Sequence, residues 1–248
     1  FLYIYNMSKS KLKNWKHYFW EFFMVFLAIT VGFFVENYQQ KLSLKKAEIE
    51  LVKSFKNDLI KDIDELNRVI ERRRGREIRI DSIITIISTN QLDKYSSEMY
   101  FYTRYLPRPE VFIASLSTIS QLKNSGDFRL IKNQMVVDTM LAYEHRFEFI
   151  DRIRDREEYL VRRLFDQINI LFDPITFDKM NLYDIEFVKP KGSPKYKSKD
   201  EQALSTFLSN IHYAKTVNVA QIGWLIKFKQ QAKTTLEFVS STYDLSKD

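Results

Sequence analysis

The 248-residue chain contains no cysteine, so disulfides, thiolate catalysis and cysteine zinc sites are all excluded. Glycine and proline are scarce, five of each. Alongside 29% charged residues, that scarcity fits neither a disordered chain nor a sheet protein built on tight turns, and it points to an all-α fold. Histidine is sparse as well. His17, His145 and His212 sit on separate predicted elements, without the i, i+4 pairing by which a helix holds zinc. The hydroxyl-rich run ASLSTISQL from Ala114 to Leu122 invites a serine-nucleophile reading, yet no glycine elbow accompanies it and no His–Asp pair can be tied to it. It reads better as a small-residue face that permits close packing beside the Ser125-Gly126 turn. No constellation supports an enzyme, a cofactor or a metal site.

What the chain does have is one long apolar run, YFWEFFMVFLAITVGFFVENY from Tyr18 to Tyr38. It matches the ~20 residues a helix needs to cross a hydrocarbon core, and its only charges, Glu21 and Glu36, lie near its ends. Tyr18, Trp20 and Tyr38 fall at the two boundaries, where amphipathic rings prefer to lie. Lys9, Lys11, Lys13 and Lys16 precede the run with no acid among them, whereas Lys41, Lys45 and Lys46 are offset by Glu36, Glu48 and Glu50. The positive-inside rule then predicts a cytoplasmic residues 1–17, a transmembrane helix over 18–38 and an extracytoplasmic domain over 39–248. A cleaved signal peptide would end in small residues, and Asn37, Tyr38 and Gln39 are not small. No later stretch is apolar enough to return the chain; the best, Ala220 to Phe228, is short and includes Lys227. Met7 before SKSKLK reads as a natural start, which leaves residues 1–6 without an assigned role. The net charge of +7 would suit nucleic acid in a soluble protein, but part of it is the lysine flank, placed for anionic headgroups. Membrane lipid, not nucleic acid, is the expected partner of that charge.

Beyond the span, Val52, Phe55, Leu59, Ile63, Leu66 and Ile70 recur at the spacing of an amphipathic helix. Residues 38–74 contain neither glycine nor proline, so this stalk helix would reach roughly 55 Å from the apolar run. Gly75 predicts a bend, followed by a shorter helix from Ile78 to Ile87 and a polar loop from Asn90 to Ser97. YFYTRYLPRP, ending at Pro109, reads as irregular, and Glu110 to Lys123 resumes helical spacing until Asn124, Ser125 and Gly126 stop it. A second long helix is predicted from Asn133 to about Phe172, a proline- and lysine-rich mobile loop over 173–199, and a last helix from Asp200 to about Tyr243. The fold class is thus all-α: an N-terminal transmembrane helix continuing into a stalk and an antiparallel extracytoplasmic helical bundle.

Two segments resemble a family of single-pass inner-membrane proteins of Bacteroidota known only as a domain of unknown function. An acid opens the apolar run and an Asn followed by an aromatic closes it, as Glu21 and Asn37-Tyr38 do here; Glu36 departs from the family pattern. A short helix also ends in a Ser-Gly turn before a Leu-Ile-Lys-Asn helix start, as in FIASLSTISQLKNSGDFRLIKNQ from Phe112 to Gln134. The resemblance covers under a fifth of the chain. It implies an inner-membrane protein with a helical periplasmic domain, and no activity.

At 100° per residue, Glu21, Ala28 and Gly32 share one face of the span with Val25 and Val35 beside them, while phenylalanines cover the other side. Small residues four apart let helices approach closely in lipid, and a carboxylate on that face is better placed against protein than acyl chains. This face is the expected contact with a partner helix; its bland counterpart is a Glu21 that merely reaches the headgroups. Arg72, Arg73, Arg74, Arg76 and Arg79 form the densest basic run, a candidate contact for an anionic partner or else a solvated helix end that complements the dipole. Asp58, Asp62 and Glu65 share a face that could gather a cation, but Lys61 and Arg68 adjoin them and the row reads as solubility. DRIRDREEYLVRR, from Asp151 to Arg163, alternates in sign and reads as an exposed face laced with ion pairs. Tyr100, Phe101, Tyr102 and Tyr105 could stack on sugars or line a groove, or else pack an irregular linker onto the bundle.

Two functions follow from these features. The first is a non-enzymatic accessory or scaffold subunit that forms homo-oligomers or binds another inner-membrane or envelope protein. The second is an extracytoplasmic ligand-binding or sensory domain, although the 17 residues before the span offer little room for a cytoplasmic output.

Overall fold

The computed structural model describes residues 2–108, 110–181 and 186–245, with side chains from Trp15 onward. The basic flank at Lys9, Lys11 and Lys13 and the residues before Met7 lie outside the described side chains, and Pro109 outside the described residues. Among the described residues six α-helices follow one another: α1 Leu2–Ser88, α2 Ser96–Tyr105, α3 Ser117–Ser125, α4 Gln134–Leu171, α5 Pro174–Asp178 and α6 Glu201–Thr242, with a 3-10 turn at Asp127–Leu130. Among the described residues there is no strand, only an isolated bridge between Asn181 and Phe187.

The helix ends carry the expected caps. Asn133 accepts from the Met135 N–H at 3.0 Å and opens α4, Asp173 accepts from Ile175 and Thr176 and opens α5, and Asp200 accepts from Ala203 at 2.8 Å to open α6. Gly126 closes α3 in the left-handed conformation, φ 71°, which glycine adopts without a Cβ penalty.

Three boundaries depart from the sequence reading. The bend expected at Gly75 is absent, and α1 runs unbroken to Ser88. A glycine inside a helix costs only about 1 kcal/mol, and buried Val69 and Ile70 before it, with Ile80 and Ile83 after it, outweigh that cost. The aromatic stretch expected to be irregular is helical up to Tyr105 as part of α2, because Met99, Tyr100 and Thr103 recur at helical spacing and are buried, and Pro107 lies beyond the last turn. The helix expected from Glu110 starts instead at Ser117, where acids of α1 meet its first donors.

Hydrogen bonds set the sense of the long helices. Glu48, Asn67, Arg73 and Asp81 on α1 meet Tyr243, Lys229, Asn218 and Lys215 on α6, so these two run in opposite senses. Asp62 and Arg73 meet Tyr143 and Glu157 on α4, so α1 and α4 run in the same sense. Their apolar faces enclose two cores. One gathers Phe55, Leu59, Leu66, Met140, Tyr143, Phe228 and Val239, with the Tyr143 and Phe228 rings stacked at 4.8 Å. The other gathers Ile80, Ile83, Tyr100, Leu164, Phe172 and Phe207.

The 173–199 segment is tied to this second core through its described residues. The Tyr100 hydroxyl donates to the Lys195 carbonyl at 2.8 Å and accepts from the Asp173 N–H at 2.8 Å. The Tyr196 hydroxyl donates to the Leu92 carbonyl, and the N–H groups of Lys197 and Ser198 both bond the Leu171 carbonyl.

Candidate functional sites: a bare helix and a buried charge layer

Within α1 the described side chains from Trp15 to Leu44 and those from Glu48 to Ser88 meet different surroundings. From Trp15 to Leu44 the apolar side chains are exposed, Phe22 at 68% and Phe33 at 63%. The five residues of the expected contact face, Glu21, Val25, Ala28, Gly32 and Val35, are all exposed. A side chain added at Gly32 would meet nothing within 4 Å. Glu21 places Oε1 at 3.2 Å from Nε2 of His17 one turn earlier, which draws it along the helix toward the N-terminus. This helix is long and apolar enough to cross a membrane.

Packing begins at Glu48, the first buried side chain described on α1. Its carboxylate accepts from the Lys132 N–H at 2.8 Å and from the Tyr243 hydroxyl at 2.6 Å, and so clamps the chain before α4 and the residue after α6 to one point. Burial, with Glu48 alongside, pushes the Tyr243 hydroxyl well above its ordinary pKa.

The arginine run divides. Arg73 and Arg76 are 3% and 2% exposed, in a polar layer between the two cores. Arg73 Nη2 donates to Glu157 Oε2 at 2.9 Å, and Nη1 to Asn218 Oδ1 at 3.2 Å. Arg76 donates to Glu157 Oε1 and, at 3.0 Å, to the Leu106 carbonyl. Asn218 Nδ2 closes the ring onto the Arg73 carbonyl at 3.0 Å. Two guanidiniums thus face one carboxylate, with the Asn218 side-chain and Leu106 backbone carbonyl oxygens taking one further donor group each, while the Nε of each arginine is buried without a partner among the described residues. Burial alone would raise the Glu157 pKa, but Arg73 and then Arg76 more than reverse it, and Glu157 lies below the ordinary glutamate range. The expectation that all five arginines form one anionic-partner contact is corrected here: Arg73 and Arg76 are enclosed and committed to Glu157. Nor is the run a helix end, since α1 continues past it. Arg74 pairs with Glu71 at 2.8 Å, and Arg72 bridges Glu65 and Glu110 at 3.0 and 2.8 Å, all on the surface.

Glu157 was hidden from sequence reasoning inside DRIRDREEYLVRR. Its neighbours follow expectation, with Asp151–Arg154 and Glu158–Arg162 as surface pairs, but Glu157 itself is 4% exposed. The signal was its register: it stands seven residues from Ile150 and from Leu164, inside the apolar stripe of α4.

The aspartate row on α1 is also internal. Asp58 and Asp62 are 5% and 1% exposed, not a solubilising face. Asp58 accepts from the Thr118 hydroxyl at 2.7 Å, the Thr118 N–H at 3.1 Å and the Ser117 hydroxyl at 3.1 Å. Asp62 accepts from the Ser115 N–H at 2.7 Å and the Tyr143 hydroxyl at 2.6 Å. These acids satisfy the free N–H groups at the start of α3 from another helix, which is why α3 begins at Ser117. They also account for the hydroxyl-rich run. Burial raises the Asp62 pKa above the ordinary aspartate range, with the Tyr143 hydroxyl and Ser115 N–H opposing it and Asp58 adding to it. Among the described residues, no three His, Asp or Glu side chains gather as metal ligands.

Of the linker aromatics, Tyr100 is fully buried, stacked or edge-on to Phe172, Phe177 and Tyr196. Tyr105 stands at the edge of an open groove and meets Phe101 and Phe187 edge-on. No protein-family model, curated protein or solved structure matches the chain.

Proposed function

We propose that the protein is a membrane-anchored, non-enzymatic accessory or scaffold subunit of the bacterial inner membrane. Residues 18–38 cross the bilayer with the N-terminus cytoplasmic, and the body beyond Glu48 stands in the periplasm as an antiparallel helical bundle. The anchor face of Glu21, Val25, Ala28, Gly32 and Val35 meets a second copy or another envelope protein.

The observation that carries this reading is the contrast along α1. One continuous helix packs against α4 and α6 from Glu48 onward, yet presents a bare apolar surface from Trp15 to Leu44, with an open site at Gly32. In water such a surface would be covered by something; in lipid the aromatic side is covered by acyl chains, and the small side admits a helix. The lysines before the run and its aromatic borders support the orientation.

The test is the mass of the tagged full-length protein in mild detergent. An oligomer or stoichiometric companion is expected, and Gly32→Ile loosens it while Phe23→Leu does not. A clean monomer, or equal behaviour of the two variants, refutes the intramembrane contact.

A further inference from the structure

Arg79 differs from the other four arginines of the run. Its guanidinium has no hydrogen-bond acceptor among the described residues, its Nε is buried without a partner, and its Cζ lies 4.9 Å from the centre of the Tyr105 ring. Of the acids that line the same space, Glu71 is taken by Arg74 and Glu110 by Arg72, and Glu186 is exposed and makes no ion pair to Arg79. The unpaired Nε is shared with Arg73 and Arg76; what sets Arg79 apart is that its Nη groups have no acceptor among the described residues and are left to solvent or a ligand.

One turn earlier on the same face is Gly75. A Cβ placed there would touch only Arg79 Nη1, at 3.5 Å. The glycine therefore costs helix stability without making room for any other part of the fold. It forms part of an open groove of about 820 Å³, walled further by Tyr105 and Val111. An uncommitted donor group and an unfilled strip of helix surface thus face the same space.

We propose that the groove over Gly75 binds a carboxylate carried on a flat apolar stem, with the Arg79 guanidinium receiving the carboxylate in its two-pronged geometry. Tyr105 holds Arg79 in place, and the strip at Gly75 with Val111 takes the stem. A single carboxylate fits better than a phosphate dianion, because the groove also carries Glu71, Glu110 and Glu186, and two negative charges would meet more repulsion there than one. The site rests on the body of the protein alone and does not depend on the intramembrane contact.

The test follows the Arg79 Nε–H resonance of full-length protein in detergent micelles, identified by its loss in Arg79→Lys. Benzoate is the probe and benzamide its neutral match. Benzoate shifts the resonance saturably and benzamide does not. Gly75→Leu blocks the shift while leaving helix content and melting temperature at or above those of the parent. Saturation transfer to the benzoate ring gives a second readout, in which Arg79→Gln weakens binding by about tenfold or more. Equal shifts from benzoate and benzamide, unchanged benzoate binding in Gly75→Leu, or unchanged binding in Arg79→Gln would each overturn the site. A tripeptide ending in phenylalanine with a free carboxylate separates the sources. Tighter binding than benzoate assigns the groove to a polypeptide terminus, and binding no tighter assigns it to a free aromatic acid.

Discussion

Glu157 and Asp62 are both carboxylates buried between α1 and α4, 4% and 1% exposed, and the fold treats them in opposite ways. Glu157 is met by two guanidiniums and is held charged below the ordinary pKa. Asp62 is met by a tyrosine hydroxyl and a backbone N–H, both neutral, and burial wins, raising its pKa. Desolvation acts on both; what differs is whether a full charge or only dipoles oppose it. The first arrangement locks α1, α4 and α6 together at one level, since Asn218 of α6 joins the ring. The second attaches the irregular chain before α3 to the face of α1.

The largest test of this contrast is Glu157→Gln. It leaves two buried guanidiniums without a countercharge, and a loss of about 3–5 kcal/mol is expected in urea unfolding of the full chain in mild detergent. Replacing Arg73, Arg76 and Glu157 together with apolar residues of similar volume should recover much of that loss, because no charge is then stranded. A triple variant as unstable as Glu157→Gln would mean that the layer is held by more than charge matching.

Tyr143→Phe comes next. It removes a 2.6 Å donor from Asp62 and should cost about 1–3 kcal/mol by the same measurement. If this variant cost as much as Glu157→Gln, the distinction between charged and neutral partners would fail.

Acidification should separate the two sites by sign. Glu157 has a folded pKa below its unfolded one, so its contribution is fully present above the unfolded value and is lost as pH falls through the folded value. Asp62 has a folded pKa above its unfolded one, so the folded state binds the proton more tightly and its contribution grows as pH falls from neutral. The stability of the parent relative to Asp62→Asn should therefore rise between pH 7 and about 4. A flat or falling difference would contradict a raised Asp62 pKa. The smallest effect is expected for Ser117→Ala, about 0.5–1 kcal/mol, since Thr118 still supplies two donors to Asp58.

Much of the helical layout is legible in the residues. The α4 stripe from Val136 to Ile168 and the caps at Asn133 and Asp200 place their helices within a residue or two of the observed ends, because periodicity and capping are properties of neighbouring residues. Register also held a clue to the charges. Asp62 and Glu157 sit at core positions of apolar stripes, and a charge at such a position is either a break in the pattern or a buried partner in waiting. Nothing local decides between those, since the partner of Glu157 lies more than eighty positions away.

The chain by itself determined that this is a helical protein with one apolar run long enough to cross a membrane, since hydropathy and helical repeat act over a few turns and need no partner. Tertiary structure decided where α3 starts, whether Gly75 bends the helix, and which two of five arginines are enclosed. Each of those depends on a group from a distant element arriving to satisfy a donor, cover an apolar face or match a charge. The free energy of that arrival is what local sequence does not contain.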